Sequence, residues 1–538
     1  MKRALLFIFL TLSIYGFSQQ SWYARPYGGT YGLEDGTSYD NAWDGLTKIV
    51  WGTGGVDAGD TLYICGFHTN SNGHYLPVGA SGTSGHPIVI DGNCPENDPG
   101  MIFGSYMQIT SGWKGPDSFG VYTYVGGNVL NNSYGYEDTG ASGNPYNFKR
   151  LIRRNTVPDS TWLPGSVWIY IDATTGDKTV KYKPSTGIPT DHVVYVESGG
   201  GINMNGKNYI TIQNLKIWGA NRSIRVRGSH NIKMLNNDLR WAAYIAIAID
   251  YGSDSGSIVN NHIWEINNAI YALNTGISGP DDGNDAWYIA NNHIHHMSDS
   301  VVYAKEGDSH GIGWQNGAGV IIENNHIHHG GGPMIAFWLS SSGYERNNII
   351  RYNYLHDNPV YDSTDIFWSK SGISYGSDNT AQGDRWTENY AYNNIVAGTG
   401  SRAIYTKTHS NSLGLLQSGI YNNVVYNTYD MAGTGNAFEG GNNASYEFMN
   451  NVLLESEGYK IYQPARTNTS ISDREDIVMN YNNYWQSAGS NTFNWEGNSF
   501  TDLNNWITGT KGLGFPQDSL STELNPLYEN FSGTYSEI

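Results

Sequence analysis

An Asn-Asn pair that returns between short apolar runs constrains this chain more than any other feature. Residues 320–332 read VIIENNHIHHGGG, residues 257–267 read SIVNNHIWEIN and residues 287–297 read WYIANNHIHHM. Fainter copies lie at 349–358, 390–396, 419–427 and 447–453. The second Asn of each pair, or its equivalent, falls at Asn237, Asn261, Asn292, Asn325, Asn353, Asn394, Asn423, Asn451 and Asn483, in steps of 24 to 41 residues. Constant strand–Asn–strand chemistry at a varying period predicts a solenoid, with one coil per repeat and the extra residues leaving as loops. The apolar runs are too short for buried helices and read as strands. An Asn between strands can take the left-handed conformation and bond the backbone of the turn. No coil can bury its own apolar side, so the coils must stack around a shared core and line those amides into a ladder.

The ends and the charge narrow the class. Met1, Lys2 and Arg3, an apolar run at 4–17 and small residues before Gln19 read as a secretory signal peptide cleaved after Ser18. No later segment approaches the roughly 20 apolar residues that span a bilayer. A secreted monomer, extracellular or periplasmic, is expected. The formal charge of −19 argues against nucleic acid as a partner, because phosphate binding needs clustered Lys and Arg. The 67 glycines and 13% aromatics, against 15% charged residues, indicate turns and strands rather than helical bundles. Cys65 and Cys94 permit one disulfide, which is too few for a disulfide scaffold.

Behind Asp40, residues Ala42, Trp43, Leu46, Ile49 and Val50 share one helical face, which predicts a helix closing the open end of the solenoid. Strands are expected at 60–64 and 87–90. This helix, the strand Asp-Thr-Leu-Tyr-Ile, the segment SGTSGHPIVIDG at 81–92 and the Asn-centred coils together resemble the right-handed parallel β-helix proteins of the pectate-lyase-like superfamily. The resemblance covers roughly residues 20–485. It implies an all-β, right-handed parallel β-helix solenoid and a carbohydrate-active enzyme, and its motifs identify architecture rather than one activity. The expected organisation is a signal peptide at 1–18, an N-terminal cap and first coils at 19–92, and a β-rich insertion at 93–199 with a hairpin across 174–177. Regular coils follow at 200–485 and a C-terminal cap at 486–538.

Three strands per coil, with the Asn turn between the second and third, place first strands at 244–250, 269–274, 311–315, 334–338, 366–370 and 403–407. With Ile270, Ile312, Ile335 and Ile404 inward, Tyr271, Gln315, Trp338, Tyr405 and Lys407 face outward, and Trp368 and Lys370 join them if Phe367 points inward. Aromatic faces stack on sugar rings, and lysines meet carboxylate or sulfate. Arg225 and Arg227 alternate with core residues and project in a row suited to bidentate anion recognition, which points to a uronate or sulfated glycan. The third strands carry two outward columns, His262, His293, His326 and Tyr354, then Trp264, His295, His328 and His356. Imidazole is a common metal ligand. The spacing is nonetheless that of the repeat rather than of a compact tetrahedral set, so no metal site is assigned and His328 is expected to contact the glycan.

Loops on a rigid scaffold carry function. The loop at 298–311 holds Asp299, Glu306, Asp308 and His310, and the next holds Asp357, Asp362 and Asp365. Glycoside hydrolysis needs two carboxyl groups, roughly 5 to 5.5 Å apart for retention and 6.5 to 9.5 Å for inversion. Strands on adjacent coils, about 4.8 Å apart, can supply either distance. Asp308 and Asp365 are the preferred catalytic pair, with His310 orienting one of them and Glu306 as a further candidate. The expected function is a polysaccharide-cleaving glycoside hydrolase, which requires no cofactor. The alternatives are a polysaccharide lyase, with Lys370, Arg402 or Lys407 as base and calcium on the uronate, and a non-catalytic carbohydrate-binding surface protein. The acidic cluster of calcium-dependent β-helix pectate lyases and the full polygalacturonase motif set are both missing, so no residue role is transferred from either.

Overall fold

The computed structural model describes residues 19–71, 76–126, 135–138, 148–153, 162–171, 177–197, 199–273, 283–297, 309–339, 343–358, 370–377, 386–407, 416–428, 436–439, 444–456, 458–463 and 477–525. In one coil, Ile312–Gln315, Ile321–Glu323 and His326–His328 form the three strands. The Asn pair between the last two divides the work. Asn324, at φ 54°, makes the left-handed turn, which Asn tolerates better than most residues. Asn325 turns inward and is 1% exposed. Its N–H and Nδ2 both donate to Asn353 Oδ1 at 3.0 Å, and its own Oδ1 accepts the same pair from Asn292 at 3.0 and 2.9 Å.

The ladder runs through Asn237, Asn261, Asn292, Asn325, Asn353, Asn394, Asn423, Asn451 and Asn482. Its last rung is Asn482, one residue before the expected Asn483. Tyr481 takes the left-handed turn there, and Asn483 instead opens the following strand. At one end the Leu215 N–H donates to Asn237 Oδ1 at 3.1 Å. At the other, Asn482 Nδ2 donates at 3.0 Å to Asp518 Oδ1, on a buried side chain that also accepts from Ser521, Tyr484 and Trp506.

Stacked coils produce three long sheets, named here first, second and third after the strand each coil contributes; they have 13, 14 and 15 strands. The registers set Ile270, Ile312, Ile335, Ile373 and Ile404 in one buried column of the first sheet. Ile263, Ile294, Ile327, Leu355 and Val396 form another in the third. Each fully buried side chain of this size contributes about 1.5–3 kcal/mol relative to exposure. That gain requires neighbouring coils, which explains why the strands can be as short as three residues.

Several expectations need correction. Residues 40–50 are not an α-helix: Trp43–Asp44 pairs with the strand Ser21–Arg25, and only the single 3-10 turn Leu46–Lys48 follows. Gly45, at φ 90°, breaks the helical path between them. The apolar side is still buried at Ala42, Trp43, Leu46 and Ile49, whereas Val50 is exposed. Among the described residues the α-helix is Leu503–Gly512, near the other end. The fifth expected first strand lies later than residues 366–370, at Ser371–Ser377, because Ile373 supplies the inward rung. Residues 366–369 fall outside the described residues.

Within residues 93–199, Met101–Ile109 is a solenoid strand that pairs in parallel with Phe67–Ser71 and Lys216–Trp218. Val193–Glu197, Gly135–Asp138 and Lys149–Arg150 extend the same sheet antiparallel. Ser166–Ile171 and Lys178–Lys183 pair as an antiparallel hairpin within a separate four-stranded sheet. Cys65 and Cys94 are bonded, with Cα atoms 5.3 Å apart.

Candidate functional site

The candidate side chains stand on two outward surfaces, and both inherit their alignment from the ladder inside. On the first sheet the successive strands are Asn268–Leu273, Ile312–Gln315, Ile335–Leu339, Ser371–Ser377, Arg402–Lys407, Asn436–Glu439 and Ile461–Gln463. Alternation turns Tyr271, Trp338, Tyr405 and Tyr462 outward, one on every second strand. Each is partly exposed. The strands between leave room for the rings: a Cβ on Gly313 would lie 2.3 Å from the Tyr271 ring, and one on Gly376 2.3 Å from the Trp338 ring. His310 stacks on Tyr271, with ring centroids 5.1 Å apart and planes 14° apart. The Arg402 guanidinium lies 4.4 Å from the Tyr405 ring centroid. Tyr462 was not foreseen, although the coil register identifies it once Phe438 and Ile461 are paired.

The expected cations behave differently from the aromatics. Lys370 is 5% exposed and donates Nζ to the Gly330 carbonyl at 2.9 Å. It precedes its strand instead of lying within it, so strand alternation does not turn it outward. Arg225 Nε donates to Asp250 Oδ2 at 2.8 Å, and Arg227 lies 4.1 Å from the Tyr251 ring centroid. Gln315 and Lys407 hold the registers expected of them beside Trp338 and Gly376, and the Lys407 side chain lies outside the described residues. Asp308, Glu306, Asp365 and Trp368, with Asp299 and Asp362, also lie outside the described residues. The strands that follow the loops of Asp308 and Asp365 are separated by Ile335–Leu339, so they are two coils apart rather than adjacent.

On the third sheet the two outward columns stand in the expected register: His262, His293, His326 and Tyr354, and beside them Trp264, His295, His328 and His356. A third column, Glu265, His296, His329 and Asp357, was missed. These residues have φ between 50° and 55°, and a left-handed residue breaks the alternation so that two successive side chains face outward. The sequence signal is His-x-His-His in place of His-x-His.

Ring nitrogens meet along three parallel diagonals. His262 Nε2 lies 2.8 Å from His295 Nε2, and His295 Nδ1 lies 2.7 Å from His296 Nδ1. His293 Nε2 lies 3.0 Å from His328 Nε2, whose Nδ1 lies 2.6 Å from His329 Nδ1. His326 Nε2 lies 2.7 Å from His356 Nε2, whose Nδ1 lies 2.8 Å from Asp357 Oδ2. Rings in neighbouring coils stack, as for His293 and His326 with centroids 4.8 Å apart and planes 9° apart. At the leading end, Arg240 lies 3.7 Å from the Trp264 ring centroid and pairs with Glu265 at 2.7 Å.

Burial, followed by mutual repulsion among the rings, lowers the imidazole pKa to about 4 at His293, about 3 at His295 and about 2 at His328. His262 and His326 are lowered mainly by burial. These five imidazoles are therefore neutral at pH 7. A neutral imidazole has one N–H and one lone pair, so each diagonal can order its protons head to tail. The hydrogen bond from His356, more than any other influence, lowers the pKa of Asp357.

Residues 200–358 match the family described as a right handed beta helix region. No curated protein matches the sequence. One similar solved structure, described as a glycoside hydrolase, is 11% identical, covers 85% of this chain and 98% of its own, and has a TM-score of 0.51. XylC in complex with xylose is 13% identical, with coverage of 82% and 70% and a TM-score of 0.47. A lacto-N-biosidase from Eubacterium ramulus is 12% identical, with coverage of 82% and 65% and a TM-score of 0.44. Among the described residues no helix is long and apolar enough to cross a membrane. Likeness at this level of identity speaks to fold, and with the sheet registers it makes the chain a right-handed parallel β-helix protein, the architecture that its coil motif resembles.

Proposed function

We propose that the protein is a secreted glycoside hydrolase that holds a polysaccharide lengthwise on the outward face of the first sheet. One observation carries this reading: Tyr271, Trp338, Tyr405 and Tyr462 recur on every second strand. Two strand spacings are about 9.6 Å, close to the repeat of a disaccharide in an extended chain; Tyr405 and Tyr462 share one register column at that interval, and Trp338 stands two residues further along its strand, opposite Gln315 and Gly376. Ring faces at that interval can stack on alternate sugars. The similarity to a structure described as a glycoside hydrolase is consistent with this use of the fold.

Asp308 and Asp365 remain the proposed acid and base, with Glu306 as reserve and His310 beside the first of the rings. Their loops lead into the strands on either side of the Trp338 strand. A uronate or sulfated glycan has less support than a neutral one, since Arg225 is engaged by Asp250, Arg227 lies over Tyr251 and Lys370 is turned inward.

The test is incubation with a panel of neutral and acidic polysaccharides. New reducing ends without unsaturated uronate support hydrolysis. Unsaturated products would replace this reading with a lyase, and binding without turnover would replace it with a carbohydrate-binding protein. Asp308→Asn and Asp365→Asn should each lower kcat by several orders of magnitude while sparing glycan affinity. Trp338→Ala should weaken that affinity about tenfold, or ~1.4 kcal/mol.

A further inference from the structure

We propose that the histidine array on the third sheet is a binding strip for divalent transition-metal ions, zinc, nickel or copper, with room for two ions per chain. The observation is the convergence of ring nitrogens. His262, His293 and His295 form one triad whose ligand atoms all lie within 4.8 Å of one another; His293, His326 and His328 form a second, and His296, His328 and His329 a third. Imidazole suits these ions better than it suits calcium or magnesium. The middle triad shares His293 with the first and His328 with the third. Only the first and third are disjoint, which sets the capacity at two three-nitrogen sites, each leaving a coordination position for water.

Three features separate this strip from stacked rings that merely cover a surface. The first is distance: nitrogens about 2.0–2.1 Å from a tetrahedral zinc stand roughly 3.3 Å apart. The observed contacts of 2.8 Å between His262 and His295 and 2.6 Å between His328 and His329, one inside each site, need to open by about 0.5 to 0.7 Å. The second is the backbone. His296 and His329 occupy left-handed positions at φ 55° and 53°, where the next coil but one after His329 has Gly398 at φ 60°. Neighbouring coils place Glu265, Asp357, Asn427 and Glu455 at the equivalent left-handed position, so the backbone there turns an outward polar side chain, here imidazole, beside the other two columns. The third is outer support, since metal-bound imidazoles commonly hydrogen-bond a carboxylate through the other nitrogen. Asp238 Oδ1, which accepts from Trp264 Nε1 at 2.9 Å, lies 3.7 Å from His262 Nδ1, close enough for a charge contact with that ligand though beyond a hydrogen bond. The spacing of histidines along the sequence conceals all this, because the ligands of each triad come from two coils.

Binding requires each participating ring to turn a lone pair toward the ion, so the N–H···N contacts within a triad must be exchanged for metal bonds. The proteins to use are full-length untagged chains, stripped with a chelator and then titrated with zinc or nickel chloride in equilibrium dialysis with elemental analysis. The expected result is two ions per wild-type chain at micromolar free metal, one in His293→Gln, one in His328→Gln and none in the double variant. Circular dichroism and thermal melting should show all four proteins folded. If the double variant does not fold, anomalous diffraction from nickel-soaked wild-type crystals decides instead, with peaks expected against His262/His293/His295 and His296/His328/His329. Retention of metal by a folded double variant, peaks elsewhere only, or no ion held by the wild type would overturn the proposal.

Discussion

The asparagine ladder inside the solenoid and the histidine array outside it arise from the same repeat, four residues or fewer apart in each coil, yet they are different kinds of object. Asn325 is sealed from water, and its amide exchanges bonds with the coils on both sides. His326 and His328 are partly exposed, and their rings meet other rings with a choice of tautomer. A fixed amide with one satisfied orientation specifies structure. A set of imidazoles whose protons can be rearranged, and whose lone pairs can be turned to a ligand, is suited to chemistry. Repetition aligns side chains, and burial decides what the alignment is for.

The largest effect expected from disturbing this contrast is on the inside. Asn325→Ala leaves the Asn292 N–H and Nδ2 without their acceptor and the Ile289 carbonyl without a donor. At about 1–3 kcal/mol for each buried group left unpaired, the loss should reach roughly 3–5 kcal/mol. Denaturant unfolding measures it, and a loss under 1 kcal/mol would mean that the ladder is not the main determinant of coil register.

Acid should act on the outside next. The imidazole pKa values at His293, His295 and His328 are held below the usual 6.5, at about 4, 3 and 2, so the unfolded chain takes up protons first as pH falls. The contribution of these groups to stability is complete above about pH 6.5 and declines as pH drops through 6.5 toward the folded values. The melting temperature should therefore fall between pH 6.5 and 4 in wild type and fall less in His293→Gln/His328→Gln. Identical pH profiles would show that the array is uncoupled from folding.

The smallest effect is the sharpest test of the contrast. With no metal present, His328→Gln should change unfolding free energy by less than about 1 kcal/mol, as outward positions usually do. A cost equal to that of Asn325→Ala would make the two ladders alike and remove the distinction.

How much of this was legible in the sequence follows the same boundary. The Asn pairs and the Ile columns follow the strict periods of the coil, so the inward rungs and the two outward histidine columns could be read directly. The third column was hidden because a left-handed residue at His296 or His329 breaks alternation, and nothing in the residue type announces it. The sequence points to Asn483 as the last rung because the turn residue before Asn482 is Tyr481 and not another Asn. The helix expected at 40–50 failed on Gly45, where a backbone break outweighed an apolar face that is otherwise buried as predicted. Lys370 was misplaced by the uncertain start of one strand, and alternation transmits such an error to every side chain in it. The aromatic row on the first sheet was half legible: three members were named, but its two-strand interval emerged only when coils of unequal length were set in register.

The asparagine ladder also has a direction. Every rung donates toward the C-terminal side, a backbone N–H at Leu215 opens the series and the Asp518 carboxylate closes it. The two ends therefore act as initiator and terminator, and everything between them is interchangeable in number. A whole coil inserted or deleted between Asn237 and Asn482 would leave both ends chemically satisfied, so the solenoid can change length without redesigning either terminus.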